Sequence, residues 1–449
     1  MTDMTSLLFD GIFHPRRQCL LKISILAVVI GQAFSYGVHE SKNAHQLSRL
    51  VLGTVALPKV EANCDGGADA LLNHAYEKGF TRFDLARTYG LGESERLFGE
   101  WHSKSSHVNR DELCLVTKGG MGKDKYGDPN RPLATRESLR SELSASLKAL
   151  QTDYVDLYML HRDDLRMDVG IFTEWMNELI EEGKVKRWGV SNWSTERIKE
   201  AHIYAAERNM QPPTANSPQL SLAVPTVQVW PSTETLSFSG FTNENMDWHK
   251  KNGVEVMGWE SLAKGFLAVP NMWNHVTPQD VHLMHKKLEA NQYELGTDEW
   301  RMARVQRAYC SPENFMRREI AKNIAFRNGL SLAQVSLLYS LSRGKHVSVL
   351  VGAELPQHLD EMAALEHLEL DVDASEALSN VGIAKPQITK RRPVVNLGNP
   401  EFLDFHMDYA KATEIAMKRP GQRQLAYMPI EPLNAEEQHE IESSLPYWN

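Results

Sequence analysis

Residues 154–191, YVDLYMLHRDDLRMDVGIFTEWMNELIEEGKVKRWGVS, contain one complete strand–helix–strand unit. YVDLYML (154–160) and KRWGVS (186–191) are short runs carrying Val, Leu, Tyr and Trp, the residue types that suit a pleated, buried surface. Between them, GIFTEWMNELIEEG (170–183) puts Phe172, Trp175, Met176 and Leu179 at spacings of three and four. That stripe buries one face of a helix. A helix between two strands carries the chain back over the sheet, so the second strand runs parallel to the first.

The same alternation extends in both directions. Strands are expected at LVLGTV (50–55), FTRFD (80–84), ELCLVT (112–117), PTAN (213–216), VEVMGW (254–259) and HVSVLVG (346–352). Helices are expected at 67–79, 135–150 and 194–209. Eight strands, most of them about 25 to 40 residues apart, fit a closed (β/α)8 TIM barrel better than an open sheet. An open dinucleotide-binding sheet wants GxGxxG after its first strand; Gly90/Gly92 and Gly119/Gly120/Gly122 have the wrong spacing. The barrel is assigned to 46–383, between an N-terminal leader (1–45) and a linker with a C-terminal helical extension (384–449). Residues 266–312 read as an irregular connection, long for a barrel loop, on the face where substrates enter.

With 58 acidic against 49 basic residues, the chain carries a net charge of −9, which argues against a nucleic-acid partner. The four cysteines form no CxxC pair, and the histidines show no HExxH spacing, so neither a disulfide framework nor a metal site is expected. Cys114, within an apolar run, reads as a core residue. In the leader, Arg16 and Arg17 precede LLKISILAVVIGQAF (20–34). This stretch is shorter than the roughly 18 residues of a membrane span and is interrupted by Lys22. It resembles the apolar core of a signal peptide; the alternatives are a buried element or an extension without function. Membrane contact through 20–34 is the less favoured expectation.

Barrel enzymes carry their reacting groups at the C-terminal ends of strands. Three adjacent strands end there in ionisable residues: Asp84 with Tyr89 in FDLARTYG, Lys118 in LVTKGG, and His161 in LYMLHRDD. Carbonyl reduction needs a hydride at carbon and a proton at oxygen. A tyrosine holds its proton at neutral pH and can donate it. A lysine ammonium nearby favours the phenolate and pulls its pKa down, an aspartate keeps that lysine charged, and a histidine polarises the carbonyl.

With these residues in view, the chain from about 48 to 370 resembles the aldo-keto reductase family. FDLARTYGLGESERLFGEW, VTKGG, LHRDD and GVSNW are each similar to one of its signature segments, in the family's order. The resemblance implies a catalytic tetrad of Asp84, Tyr89, Lys118 and His161, with Tyr89 as general acid. It implies NADPH or NADH bound without a Rossmann fold, and a small carbonyl or sugar-like substrate. Ser191 and Asn192 match the pair that binds the nicotinamide carboxamide, and Trp259 matches the aromatic residue stacked on its ring. Leu262, Lys264 and Gly265 match the loop that wraps the pyrophosphate. Gly53 and Thr54 match contacts at the end of the first strand. VLVGAELPQHLDEM, with Gly352, Glu354 and His358, is similar to the segment around the adenosine end. An enzyme that draws on the cellular nicotinamide pool is expected in the cytoplasm.

Two departures bear on the cofactor. Ser217 stands where many members carry glutamine, and Glu354 where many carry arginine near the adenine ribose. A carboxylate there would repel a 2′-phosphate and could accept from a 2′-hydroxyl, which leaves NADH open beside NADPH. Met362 also replaces the usual asparagine. Two other functions compete. One is a cofactor-binding regulatory barrel of the channel-subunit kind. The other is a hydrolase using Asp84 with Asp163, which leaves Lys118 and Tyr89 without a role.

Overall fold

A computed structural model of the chain describes residues 37–40, 46–121, 134–230, 232–240, 243–294 and 297–381. The apolar segment 20–34 and the extension 384–449 lie outside these residues. Among the described residues there are ten strands: β1 (Val38–Glu40), β2 (Leu50–Gly53), β3 (Arg82–Asp84), β4 (Cys114–Gly119), β5 (Val155–Leu160), β6 (Val185–Ser191), β7 (Ala215–Ser217), β8 (Glu255–Gly258), β9 (Val347–Gly352) and β10 (Leu368–Leu370). Strands β2 to β9 pair in sequence order, all parallel, and β9 returns to β2, closing the barrel. β1 and β10 form a separate antiparallel pair.

The helices are α1 (Leu57–Asn63), α2 (Gly67–Glu77), α3 (Glu93–Lys104), α4 (Arg136–Leu150), α5 (Val169–Glu181), α6 (Thr195–Glu207), α7 (Glu244–Lys251), α8 (Pro278–Glu289), α9 (Asp298–Tyr309), α10 (Pro312–Asn328), α11 (Leu332–Ser342), α12 (Pro356–Ala363) and α13 (Val372–Ser379). Their starts follow local chemistry. Thr135 and Ser138 reciprocate in a capping box at α4, and Asp168 and Ser194 cap α5 and α6 through their side chains. The stripe read from 170–183 is buried as expected at Phe172, Met176 and Leu179. α3 lies so close to α4 that a Cβ on Gly99 would stand 2.1 Å from the Ala149 carbonyl oxygen, which explains glycine there.

Strand alternation divides the lumen into layers. At the bottom, Arg82 meets Glu255 at 2.6 Å, Arg187 reaches the same carboxylate at 3.2 Å, and Ser348 donates to it at 2.7 Å. Above this charged plug is an apolar layer of Val51, Val116, Leu157, Met159, Ala215 and Met257. Two residues further along β4 stands Lys118, and two residues past Met159 stands His161. The alternation that packs the lumen thus delivers ionisable groups to the top rim. Tyr158 and Leu160 point the other way, into the larger core between sheet and helices.

Two local expectations are corrected. Residues 266–312 are not an irregular connection: they contain α8 and α9, capped by Thr277 with Asp280 and by Thr297. α8 buries no residue fully; Val281 and Met284 pack only partly buried against the core. Cys114 begins β4 half-buried rather than inside the core.

Candidate active site

The end of β3 is fixed before any side chain acts. Thr54, just past β2, donates both its backbone N–H (3.0 Å) and its hydroxyl (2.9 Å) to the Asp84 carbonyl. Beyond Asp84 the chain turns through Tyr89, Gly90, Leu91 and Gly92, the last three at φ of 57, 57 and 95°. Glycine suits Gly92 because a φ of 95° is one that L side chains rarely adopt, and a Cβ there would also displace the Arg87 guanidinium. That guanidinium is held by the fully buried Glu95 at 3.2 Å, and Thr117 donates to the same carboxylate at 2.7 Å. Glu95 therefore ties the Tyr89 turn to β4 beside Lys118.

Asp84, Tyr89 and Lys118 form one hydrogen-bonded cluster. The Lys118 ammonium lies 2.7 Å from each Asp84 carboxylate oxygen and donates to the Tyr89 hydroxyl at 2.8 Å. Tyr89 in turn donates to Asp84 at 3.1 Å. His161 completes the group: its ring meets the Tyr89 ring edge-on at 6.0 Å between centroids. Its Nδ1 is 3.4 Å from the Thr88 hydroxyl.

Burial dominates the electrostatics. It pushes the Asp84 carboxyl up and the Lys118 ammonium down, each opposed by the other's charge. The Tyr89 phenol is raised well above its ordinary value, first by burial and then by the Asp84 charge. The net lowering expected from Lys118 is not seen: burial and the Asp84 charge outweigh the ammonium 2.8 Å away, and Arg162, which the sequence did not single out, also lowers the phenol. Tyr89 is held protonated, as a proton donor must be.

The remaining candidates divide between two regions of the rim. Ser191 and Asn192, at the end of β6, are buried and linked. Ser191 donates to the Ser217 carbonyl at 3.0 Å, Asn192 donates to the Ser191 hydroxyl at 2.9 Å, and the Trp259 indole N–H donates to the Asn192 amide oxygen at 3.1 Å. Asn192 sits at φ 62°, a left-handed conformation rare outside glycine. Ser217's own hydroxyl is used by the Met257 carbonyl at 2.8 Å, joining β7 to β8. The turn after β8 has left-handed residues at Glu260, Ala263, Lys264 and Gly265. Such turns aim successive N–H groups into a concavity suited to anions. Lys264 is half-buried beside Glu260 at 3.7 Å, and desolvation lowers its ammonium to about 8.

Gly53 pairs in register with both Asp84 and Gly352, so the end of β9 borders the same rim. There Glu354 forms an ion pair with Lys59 of α1 at 2.9 Å. Its second carboxylate oxygen, Oε1, is buried with no hydrogen-bond donor. His358 Nδ1 accepts from the Glu354 backbone N–H at 3.3 Å. Asp163, the second carboxylate of the hydrolase reading, is held by Arg197 at 3.0 Å, and burial is the main influence on it, raising its carboxyl.

The aldo/keto reductase family model matches residues 49–382. The chain belongs to the aldo/keto reductase family. Its relatives include the aldo-keto reductase YhdN of Bacillus subtilis (strain 168), 34% identical over 173 residues, 37% of this chain and 50% of that protein. The L-glyceraldehyde 3-phosphate reductase of Escherichia coli (strain K12) is 28% identical over 302 residues, 67% of this chain and 79% of that one. The fold matches the thermostable aldo-keto reductase Tm1743, crystallised with the inhibitor epalrestat, at 18% identity and a TM-score of 0.51, over 78% of this chain and all of that one. Membership brings the family's nicotinamide cofactor with it. The residues present fit such a group: an anion-suited turn after β8, a buried amide–indole cluster at β6, and a carboxylate oxygen at β9 awaiting a donor. Among the described residues, no cluster of His, Cys, Asp and Glu could hold a metal ion, and no helix is long and apolar enough to cross a membrane.

Proposed function

We propose that this barrel reduces an aldehyde or ketone, of small or sugar-like structure, to the alcohol, with the proton supplied by Tyr89. The observation that carries the reading is the buried Asp84–Lys118–Tyr89 cluster with His161 at its edge. When bound, NADPH or NADH supplies the hydride. Ser191 and Asn192 hold its carboxamide, Trp259 flanks its ring, Leu262, Lys264 and Gly265 border the pyrophosphate, and Gly53, Thr54, Gly352, Glu354 and His358 line the remainder. Ser217 fixes the backbone on which Ser191 and Asn192 rest.

The protein's part in the reaction is proton handling and polarisation. The Tyr89 hydroxyl releases its proton to the substrate oxygen as negative charge develops there. The phenolate left behind is stabilised by the Lys118 ammonium at 2.8 Å. Asp84 keeps that ammonium charged and oriented. The His161 ring hydrogen-bonds the carbonyl oxygen and sets its approach. Residues 46–383 act as the catalytic unit, placed in the cytoplasm by its need for the nicotinamide pool.

The test is parallel fluorescence titration of the purified chain with NADPH and NADH, followed by turnover with an aldehyde panel. Binding with turnover supports the reading. Binding without turnover on any substrate would favour a cofactor-sensing regulatory barrel, and binding of neither nucleotide would refute the cofactor site.

A further inference from the structure

Arg162 follows His161 at the top of β5 and is partly buried. Its Nη1 donates to the His161 carbonyl at 3.0 Å. Among the described residues, no carboxylate is paired with it. The two acids that follow it in sequence are already committed: Asp163 to Arg197 at 3.0 Å and Asp164 to Arg166 at 2.7 Å. A guanidinium stays charged under all ordinary conditions, and a buried charge without a partner is unfavourable. Burial accordingly lowers Arg162 from its ordinary value.

Its field acts on the reaction centre, lowering both Tyr89 and Lys118. Two carboxylates, Asp84 and Glu95, thus stand against three cations, Lys118, Arg162 and the Arg87 that Glu95 holds, which leaves a surplus positive charge at the rim. Proteins maintain such imbalances where a ligand supplies the missing charge. The cofactor is poorly placed to do so. Its phosphates are assigned to the segments after β8 and β9. In the closed order β2 to β9, β5 lies four strands from β9, diametrically opposite, and three from β8. The missing anion belongs on the substrate side. A guanidinium offers a planar fork of donors that matches carboxylate or phosphate oxygens two at a time.

We propose that Arg162 anchors an anionic group, a carboxylate or a phosphate, on the carbonyl substrate, and so selects small negatively charged aldehydes or ketones over neutral ones. This rests on the reductase reading. Matched pairs separate the sources: 4-carboxybenzaldehyde against benzaldehyde, and glyceraldehyde 3-phosphate against glyceraldehyde. For the full chain, kcat/KM is expected to favour the charged member of at least one pair by about tenfold to a hundredfold, mostly through KM. Arg162→Met should bring that ratio close to one, and Arg162→Lys should keep part of it. A role confined to shaping the Tyr89 environment would change kcat for charged and neutral substrates alike.

Calorimetric titration of the same four compounds, with and without NADP+, reads the site without turnover. Arg162-dependent binding of a charged compound in a protein that turns over nothing would sink the reductase reading and keep the anion site. Turnover of neutral and charged members at equal efficiency by the wild type would overturn the inference and leave the reductase reading intact. A preference that survives Arg162→Met would also overturn it. Should that variant fail to fold, Arg162→Lys and the wild-type ratios still decide.

Discussion

Replacing Lys118 by methionine strands a carboxylate that is only 1% exposed. The ammonium lies 2.7 Å from Asp84, and at an effective dielectric of about 20 that separation corresponds to about 6 kcal/mol of attraction. Part of this is offset by the cost of taking both charges out of water. Removing one partner keeps the other's desolvation cost and loses the attraction, so Lys118→Met should lose about 3–5 kcal/mol of stability. Asp84's remaining donor is the Tyr89 hydroxyl at 3.1 Å, and its carboxyl, already raised by burial, rises further. An acid whose folded-state pKa is raised destabilises the fold above that pKa and is relieved as pH falls through it, so the variant should be less impaired at pH 5 than at pH 8. Asp84→Asn should cost a similar amount by stranding the ammonium. The double variant carries neither charge and should fall short of the summed losses by about 3 kcal/mol. Urea unfolding followed by tryptophan fluorescence measures all four corners of the cycle. Losses that add to within about 0.5 kcal/mol would refute the coupled-pair account.

Two further outcomes follow from other parts of the molecule. His249 is fully buried between the Asn245 carbonyl at 2.7 Å and the Asn216 amide at 3.1 Å, and burial lowers it from 6.5 to about 4. The unfolded chain takes up that proton first, so the stabilisation is complete above about pH 6.5 and declines by about 2 kcal/mol by pH 5. His249→Gln should flatten this part of the pH profile in urea unfolding; an unchanged slope would contradict it. Glu354→Gln releases the Lys59 ammonium now paired at 2.9 Å and removes a carboxylate from the end of the site proposed to hold the adenosine. NADPH should then bind about tenfold more tightly relative to NADH, by the strength of one charged hydrogen bond. Parallel fluorescence titrations of variant and wild type check this, and an unmoved ratio would remove Glu354 from the ribose.

The barrel was legible because its strands are short, patterned and separated by one-sided helices, as in 154–191. Boundaries shifted where side-chain type and backbone pairing diverge: Lys118 looked like the residue after a strand, yet β4 runs on to Gly119. α8 was missed although Val281, Met284 and Leu288 stand at helical spacing, a short stripe whose residues are only partly covered. The meeting of Asp84, Tyr89, Lys118 and His161 on one rim was legible because each stands at the end of an adjacent strand. Arg162 was not, because its significance is relational: it emerges only when Asp163 and Asp164 are seen paired elsewhere. Glu95 was hidden for the same reason, since its link to Arg87 and Thr117 spans a loop, a helix and a strand.

The central claim is that Tyr89 delivers the proton in carbonyl reduction. It is tested most directly by following nicotinamide absorbance with an aldehyde panel for wild type and Tyr89→Phe, with cofactor affinity measured alongside. The account predicts a kcat loss of about 10²–10⁴-fold with cofactor binding preserved. Full turnover by the phenylalanine variant would contradict it.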